Sequence, residues 1–373
     1  MLMSLNQLFN SSNQNNRFFH LMIMLSFASL LIGCKSENKS QLHLNDIQIV
    51  GSHNSYKKAI DPGLMQVLYR EDSNLAITLD YEHLPIKEQL DLGMRNLEID
   101  IFHDPKGGRY NNPLGLQVIE DASSFDVQKM NKPGMKVFHV QDIDFRSHYS
   151  LFSEALVEIK EWSDKHPEHI PIIITMNLKD EVIEWPGFQS PLPFSIDALD
   201  SVDNEILSVL NWDRLIHPDL VKATYPTLEE GIIENGWPLL NDVRGKFLFV
   251  LDAGESINNL YTDGHPSLTG RVMFINSKEG TPEAAFRIIN NPFISFNKIQ
   301  ELVKKGYMVR TRSDANTIEA RNNDYSRWFK ALESGAQVIT TDYYVSSKLF
   351  KSDYFVGFKA DTIYRKNPLR IKK

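Results

Sequence analysis

Short apolar runs alternate with amphipathic segments along most of the chain. Eight runs have the length and composition of strands, at 47–51, 96–102, 136–140, 170–177, 246–252, 271–276, 307–312 and 337–342. Between them, the spacing of apolar residues predicts helices over 85–92, 149–165, 281–290, 297–305 and 324–334. This alternation is typical of an α/β fold with a parallel sheet, and eight strands indicate a TIM-like (β/α)8 barrel. A doubly wound open sheet is the alternative, although no glycine-rich phosphate loop follows the first run.

Two stretches interrupt this alternation. Residues 104–133 are rich in Gly, Pro and Asn, and residues 182–243 contain only helical segments, near 196–211 and 227–236. Long loops of this kind are often functional or contact a partner. No shift in composition divides residues 46–373, so the sequence predicts one barrel domain with two insertions.

The amino-terminal segment has the pattern of a leader. Residues 1–33 lack Asp and Glu and end in an apolar run of about 13 residues, too short to span a bilayer. The next residue, Cys34, completes a Leu-Ile-Gly-Cys sequence that resembles the lipobox of bacterial lipoproteins. This resemblance implies a signal peptide over 1–33, a lipid on Cys34, a polar tether over 34–45 and attachment to a membrane of the cell envelope. An ordinary secretory signal, with Cys34 an incidental thiol, is the alternative.

The charge of the chain limits its partners. The formal net charge is −8 and there is no basic run, which argues against a nucleic-acid partner. An anionic substrate must therefore be met by local cations or by a metal ion. Cys34 is the single cysteine, so no disulfide bond forms within the chain.

Ionisable and amide side chains lie where the first three predicted strands end. His53 and Asn54 follow the first strand, Glu98 and Asp100 end the second, and His139 lies in the third. The carboxyl ends of parallel barrel strands form one rim, where active sites are built. Carboxylate and amide oxygens bind hard divalent cations, and imidazoles transfer protons near neutral pH. This combination predicts a metal-assisted phosphoryl-transfer site.

Each of these groups, taken alone, also has a structural explanation. The histidine and asparagine after the first strand can be loop and capping residues. The two carboxylates can form ion pairs with Arg95 or Lys136, and the histidine of the third strand can be hydrogen-bonded in the core, oriented by Asp142 or Asp144.

Further polar residues are predicted at the same rim. Lys179 lies two residues beyond Asn177 and can neutralise a phosphate, or it can be a surface lysine. Arg310 and Arg312 alternate along the seventh strand and suit bidentate phosphate binding, or they can pair with barrel carboxylates. Asp342 ends the eighth strand on this rim and completes the candidate substrate-binding set.

Three motifs in order resemble the calcium-dependent phosphatidylinositol-specific phospholipase C family, in its bacterial and fungal branch. They are GSHNSY at 51–56, LPIKEQLDLGMRNLEIDIF at 84–102 and FHVQDIDFRS at 138–147. The resemblance continues through HPEHIPIIITMNLKD at 166–180 and then thins over 182–300. It implies a barrel enzyme, a phosphoric diester hydrolase that uses Ca²⁺.

The resemblance also implies roles for individual residues. His53 and His139 correspond to the catalytic histidines, and Asn54, Glu98 and Asp100 correspond to calcium ligands. His139 is expected to protonate the leaving alkoxide. The other histidine is expected to contact the phosphoryl oxygen or to accept the proton of the attacking hydroxyl.

The fourth calcium ligand departs from the pattern of animal relatives. Where they carry a glutamate at the comparable strand end, this chain has Asn177. A ligand set with only two carboxylates predicts moderate calcium affinity. The expected reaction is attack of the inositol 2-hydroxyl on phosphorus, which releases diacylglycerol and forms a cyclic inositol phosphate.

Two other functions are compatible with parts of the sequence. Glycerophosphodiester phosphodiesterases share the barrel and the Glu-x-Asp pair, and His103-Asp104 resembles their second histidine motif. They usually have His-Arg after the first strand, where this chain has His53-Asn54, so the phospholipase interpretation is favoured. A barrel without activity that binds a lipid or a partner is the third hypothesis, and a calcium-dependent activity assay separates it from the other two.

Overall fold

The computed structural model describes residues 41–119, 124–359 and 362–371. The predicted signal peptide, 1–33, and Cys34 lie outside the described residues, so the lipoprotein assignment stays a prediction. The strands of the described part are β1 Ile47–Ser52, β2 Asn96–Ile101, β3 Ile172–Leu178, β4 Phe247–Asp252, β5 Phe274–Ile275, β6 Phe286–Ile288, β7 Met308–Arg312, β8 Val338–Thr341 and β9 Tyr364–Lys366.

The first eight strands form a parallel barrel that is nearly closed. Their order is β5-β4-β3-β2-β1-β8-β7-β6, and β9 pairs antiparallel with the start of β1. The two ends of this order meet at a single parallel bridge between Asn276 and Phe286. The Asn276 side-chain oxygen also accepts the amide hydrogen of Ile288 at 3.1 Å. The predicted TIM-like (β/α)8 barrel is therefore confirmed.

Four of the five predicted helices, those over 85–92, 149–165, 297–305 and 324–334, begin and end close to the predicted positions. The helices of the described part follow in chain order. They are α1 Pro62–Glu71, α2 Ser73–Leu79, α3 Ile86–Asp91, α4 Val127–Met130, α5 Phe152–Lys165, α6 Ile196–Val209, α7 Pro218–Lys222, α8 Leu228–Glu230, α9 Glu255–Thr262, α10 Phe296–Lys305, α11 Ile318–Asn322 and α12 Ser326–Ser334. A π-turn over Gly231–Asn235 extends α8. Gly306 and Gly335 end α10 and α12 with φ of 110° and 80°, a left-handed conformation that glycine adopts without a Cβ clash.

The core lies between the barrel and the apolar faces of these helices. All six residues of β1 and of β2 are buried. Helix α5 buries Phe152, Leu156 and Ile159 in the same core. Burial of each such side chain stabilises the fold by roughly 1.5–3 kcal/mol. No helix in the described ranges combines the length and the apolar composition that crossing a membrane requires.

The seam between β1 and β2 is narrow and positions the start of the candidate site. Its single register pair joins Gly51 to Asn96, and a Cβ on Gly51 would lie 2.4 Å from the Asn96 Cβ. Only glycine allows this approach. Further along, the Ser55 amide donates to the Glu98 carbonyl oxygen and the Ser55 hydroxyl accepts the Glu98 amide hydrogen, each at 2.8 Å. The Glu98 backbone is therefore held from both sides.

The predicted strand at 136–140 is wrong. Lys136 forms isolated antiparallel bridges with Phe102 and Leu151, and Val140 bridges to Asp144 in a tight turn. The apolar run that ends in His139 therefore forms a loop. The position beside β2 is occupied by β3, which pairs with β2 over six residues.

The predicted helix over 281–290 is also wrong. Residues Phe286–Ile288 form β6, which pairs in parallel with β7 from Phe286–Met308 to Ile288–Arg310. In the barrel, this segment lies between β5 and β7. The predicted strand over 271–276 is reduced to Phe274–Ile275.

Candidate active site

The polar strand ends come together at one end of the barrel, which we call the mouth. It is formed by the carboxyl ends of β1–β8. Asp100 on β2 is in register with Asn177 on β3, so these two side chains are neighbours on one face. After β1, Asn54 adopts φ of 49°, a left-handed conformation that Asn tolerates better than most residues. This turn follows His53 directly and lets the chain leave the strand at the mouth.

His53 is held by residues from β7 and β8. Its Nδ1 lies 2.8 Å from Asp342 Oδ1, and the other carboxylate oxygen of Asp342 accepts a hydrogen bond from Arg312 Nη2 at 2.8 Å. Arg312 Nη1 lies 3.2 Å from His53 Nε2. Because the guanidinium only donates, the network assigns the ring proton to Nδ1 and leaves Nε2 as the acceptor.

The environment keeps the His53 imidazole neutral. Burial at the base of the mouth lowers its pKa well below the ordinary value, and the positive charges of Arg312 and Arg310 lower it further. A neutral ring with an unprotonated acceptor nitrogen is the form that takes up a proton from a substrate hydroxyl.

His139 is held by a second buried carboxylate. Its Nδ1 lies 2.7 Å from Asp144 Oδ2, and Lys57 Nζ lies 3.1 Å from Asp144 Oδ1. Burial acts to raise the pKa of Asp144, but the Lys57 charge and the His139 hydrogen bond together hold it below the ordinary value. Asp144 is therefore an anion that fixes the orientation of the ring. Asp142, the other candidate for that role, instead accepts the backbone N–H groups of two loops.

The two carboxylates of β2 have different surroundings. Glu98 accepts a hydrogen bond from the buried Arg310, and burial still raises its pKa to about 7. Asp100 has no exposed surface, and neither of its carboxylate oxygens has a hydrogen-bond partner among the described residues. Lys179 Nζ lies 3.2 Å from Asp100 Oδ2 as an ion pair without hydrogen-bond geometry. Asp100 is thus a buried carboxyl group with unused acceptor capacity.

The donor set fits a calcium ion. The Asn54 side-chain oxygen is buried and, within the described ranges, accepts no hydrogen bond, like the two oxygens of Asp100. Unsatisfied buried oxygens are costly unless a cation binds them. No three His, Cys, Asp or Glu side chains of the described residues converge on a metal position, so amide oxygens must complete the site. Asn54, Glu98, Asp100 and the neighbouring Asn177 offer only hard oxygens, which suit calcium.

The predicted substrate-binding residues all lie at the mouth, but they are engaged with protein groups. Arg310 contacts Glu98 and Asn290, Arg312 binds Asp342, and Lys179 pairs with Asp100. Both arginines therefore pair with carboxylates of the barrel, which was the structural alternative to phosphate binding. Arg312 and Lys179 are the more exposed of the cations, at 13% and 25% of their side-chain surface.

Sequence reasoning missed two residues near this cluster. Asp252 is the last residue of β4 and is in register with Asn177, which extends the polar row from Asp100 across three strands. The sequence contained a signal for Asp252, because the apolar run of β4 ends in an acidic residue, as the run of β2 does. His83 lies buried 3.9 Å from Asp342 and stacks on Tyr344 with centroids 5.5 Å apart. It follows no strand, so the sequence contained no signal for it.

His103, the residue that favoured a diesterase, lies apart from this cluster. Its ring packs against Phe194 with centroids 5.8 Å apart. In the described part of the chain it forms no ion pair with Glu98 or Asp100. The second histidine of the mouth is therefore His139.

Comparisons with known proteins support the fold. A solved calcium-dependent phosphoinositol-specific phospholipase C from Pseudomonas sp has a TM-score of 0.52 at 15% identity, covering 87% of this chain and 95% of that one. A calcium-dependent phosphatidylinositol-specific phospholipase C from Streptomyces antibioticus has a TM-score of 0.50 at 16% identity, covering 81% and 95%. These similarities show a shared fold. No curated protein matches the chain in sequence.

A match to a family model assigns the chain to a family, which the structural similarities alone do not. The model described as Phosphoinositide phospholipase C, Ca2+-dependent, matches residues 42–368, which include every residue of the mouth discussed above. The chain therefore belongs to the calcium-dependent phosphoinositide phospholipase C family.

Proposed function

We propose that this protein cleaves an inositol phospholipid to diacylglycerol and an inositol phosphate, with calcium as the cofactor. The observation that carries the proposal is the pairing of two histidines with buried aspartates around two acidic residues in a barrel of this family. His53 pairs with Asp342, and His139 pairs with Asp144. Such pairs hold an acid and a base in fixed positions, which proximity catalysis requires.

His53 is the proposed base. Its neutral ring, with the proton on Nδ1 donated to Asp342, presents Nε2 to a substrate hydroxyl. Arg312 must release Nε2 as the substrate enters, and its guanidinium is then available to a phosphoryl oxygen. The attacking group is the inositol 2-hydroxyl, and its attack on phosphorus forms the cyclic phosphate.

His139 is the proposed acid. Asp144 fixes the ring through Nδ1, so Nε2 can give its proton to the departing alkoxide of diacylglycerol. General acid catalysis of this kind contributes roughly 10²–10⁴ in rate.

Calcium would be held by Asn54, Glu98, Asp100 and Asn177. When bound, it supplies positive charge that acidifies a nearby hydroxyl and stabilises charge on the phosphate. Lys179, which pairs with Asp100, would then be free to contact the phosphate.

The loops around the mouth support a lipid substrate. The loops that follow β3, β6 and β8 carry large apolar side chains at their surface. We call this set the apolar rim: Val182, Ile183, Trp185, Phe293, Ile294, Val345, Leu349 and Phe355, each at least 39% exposed. Exposed apolar groups on one face are suited to contact with a membrane.

Attachment to the cell envelope through Cys34 completes the proposal. Three acyl chains on this residue would exceed what stable anchoring requires. Cys34→Ser should leave the precursor unprocessed or the product unanchored. Unchanged membrane fractionation, with no acyl mass on the mature amino terminus, would remove the anchor from the proposal.

The reaction is tested with vesicles of phosphatidylinositol, with and without a calcium chelator. We expect release of diacylglycerol and inositol phosphate that stops when calcium is removed. Parallel assays with glycerophosphoinositol, a soluble diester, distinguish the diesterase. Activity on the soluble diester alone would overturn the phospholipase assignment, and no activity on either compound would favour a binding protein.

A further inference from the structure

A buried tyrosine contacts two residues of the candidate site. Tyr81 lies in the segment between α2 and α3 and is 3% exposed. Its hydroxyl accepts a hydrogen bond from Asn54 Nδ2 at 2.7 Å. Its ring stacks on the His53 imidazole, with centroids 6.2 Å apart and planes inclined by 28°. One side chain therefore contacts both a proposed calcium ligand and the proposed base.

The backbone of Tyr81 also reaches the support of the second histidine. Its carbonyl oxygen accepts a hydrogen bond from Lys57 Nζ at 2.9 Å, and the same ammonium pairs with Asp144 at 3.1 Å. The ammonium lies 4.7 Å from the centroid of the Tyr81 ring. Neither Lys57 nor Asp144 has exposed surface. Tyr81 is therefore packed against the groups that hold both histidine pairs.

The segment that carries Tyr81 is itself held on both sides. Before it, Asp80 forms an ion pair with Arg321 of α11. After it, the backbone amide of His83 donates to the Lys57 carbonyl oxygen at 2.9 Å. A residue can orient a metal ligand only if its own position is fixed by its surroundings. These contacts meet that condition for Tyr81.

The hydrogen bond to Tyr81 determines which end of the Asn54 amide is free. An asparagine side chain has one oxygen and one NH₂ group, and only the oxygen binds a hard cation. Among the described residues, the Tyr81 hydroxyl is the one acceptor of Asn54 Nδ2, and the oxygen accepts no hydrogen bond. A calcium-bound oxygen requires the buried NH₂ group to point away from the ion, where it needs an acceptor. Without the hydroxyl, this NH₂ group would compete with calcium for the acids of β2.

We propose that Tyr81 is a positioning residue that sets the calcium affinity of the mouth through Asn54. The inference rests on the calcium ligand set of the proposed function, and it adds a residue that acts without touching the ion. Groups that orient metal ligands typically contribute about 10- to 100-fold to metal affinity.

The first test is calorimetric titration of the full protein with calcium. Tyr81→Phe should bind calcium about 10- to 100-fold more weakly than the wild type. Tyr149→Phe is the matched control, because its buried hydroxyl likewise accepts an N–H group, the Ile86 amide at 3.0 Å, which belongs to no proposed ligand. It should bind calcium as the wild type does. Equal affinity in Tyr81→Phe and the wild type, or an equal loss in both variants, would overturn the proposal.

A second test separates orientation of the amide from general support of the fold. The two oxygens of a carboxylate are equivalent, so its orientation does not matter to a cation. In an Asn54→Asp background, Tyr81→Phe should therefore change calcium affinity by no more than about two-fold, the scatter expected of independent sites. A loss as large as in the Asn54 protein would show that Tyr81 acts on the fold, and would overturn the proposal.

Kinetics on phosphatidylinositol vesicles keep this inference distinct from the proposed function. In Tyr81→Phe the calcium concentration for half-maximal rate should rise about 10- to 100-fold. The kcat at saturating calcium should equal that of the wild type, because phenylalanine keeps the ring beside His53. A lower kcat with an unchanged calcium requirement would overturn the inference alone. A wild type that binds calcium but cleaves no phosphatidylinositol would overturn the proposed function, and the titrations would still decide the role of Tyr81. Absence of calcium binding by the wild type would overturn both.

Discussion

Each histidine of the mouth is fixed at Nδ1 by a buried aspartate, at 2.8 Å for His53 and 2.7 Å for His139. The two pairs differ in what lies behind the carboxylate. Asp342 is bound by Arg312, and Asp144 is bound by Lys57. Because a histidine held at one nitrogen can rotate little, both rings keep a fixed orientation, and Arg312 holds the Nε2 of His53.

Removal of either imidazole should stop catalysis without unfolding the protein. His53→Ala and His139→Ala should each lower kcat by roughly 10²–10⁴, because each removes an acid or a base. His103→Ala is the matched control and should retain activity, since its ring contacts Phe194 outside the cluster. Vesicle assays and thermal melts of the three variants measure this. Loss of activity only in His103→Ala would instead support the diesterase.

Lys179 should weaken calcium binding in the native protein. Its ammonium lies 3.2 Å from Asp100 Oδ2 and so competes with a metal ion for the same carboxylate. Lys179→Met should tighten calcium binding by roughly 3- to 10-fold, because it removes this competing charge. Calorimetric titration of the two proteins measures the change, with Lys179→Arg as a control that keeps the charge. Equal affinity in wild type and Lys179→Met would contradict the competition.

At the scale of elements, parallel register determines which ligands meet. The six pairs between β2 and β3 place Asp100 beside Asn177, and the pairs between β3 and β4 place Asp252 beside Asn177. A shift of one residue in either ladder would turn these side chains away from the mouth. The ligand set is therefore a property of strand pairing as much as of residue type.

Neutralising the acids of β2 should abolish calcium binding. Glu98→Gln/Asp100→Asn keeps the size of both side chains and removes both negative charges of the predicted ligand set. Calorimetric titration should show calcium binding by the wild type and none by the double variant. Identical binding by the two proteins would exclude this site.

The segment between α5 and β3 should make the fold sensitive to acid. His169 is buried, its Nε2 lies 2.6 Å from the Ser163 hydroxyl, and burial lowers its pKa from 6.5 to about 4. Between these values the unfolded state binds a proton that the folded state does not, so stability falls as the pH decreases from 6.5 to 4. This group should cost about 2 kcal/mol at pH 5. Urea unfolding at pH 7.5 and 5 should show a smaller loss in His169→Gln, and an equal loss would contradict the assignment.

At the scale of the whole molecule, the site and the apolar rim share one end of the barrel. The residues of the rim follow three different strands, yet all three strands end at the mouth. A lipid headgroup that enters the mouth therefore leaves its acyl chains near these side chains. This arrangement predicts that the rim affects activity at membranes more than catalysis itself.

Polar substitution at the tip of the rim should separate these two effects. Phe293→Ser/Ile294→Ser should reduce cleavage of phosphatidylinositol in vesicles, since Ile294 is 84% exposed and its removal from water stabilises binding. Cleavage of a dispersed short-chain inositol phospholipid should stay at the wild-type rate. Val157→Ser, an exposed apolar position on α5, is the matched control. An equal loss on both substrates would place these residues in the catalytic machinery.

The sequence alone determined the features that depend on neighbouring residues. Seven of the eight barrel strands, the glycine ends of α10 and α12 and the polar ends of the strands follow from local periodicity and local conformational preference. The acids of β2 were assigned to one face because residues two apart in a strand point the same way. These rules need no knowledge of the rest of the chain.

Tertiary structure decided the features that depend on distant partners. The runs at 136–140 and 286–288 are both apolar, and only competition for a place in the sheet made the second a barrel strand and the first a loop. Arg310 meets Glu98 across 212 residues, and Lys57 meets Asp144 from another loop. Such pairs form because burial makes an unpaired charge costly, and which charges are buried together is set only when the barrel closes.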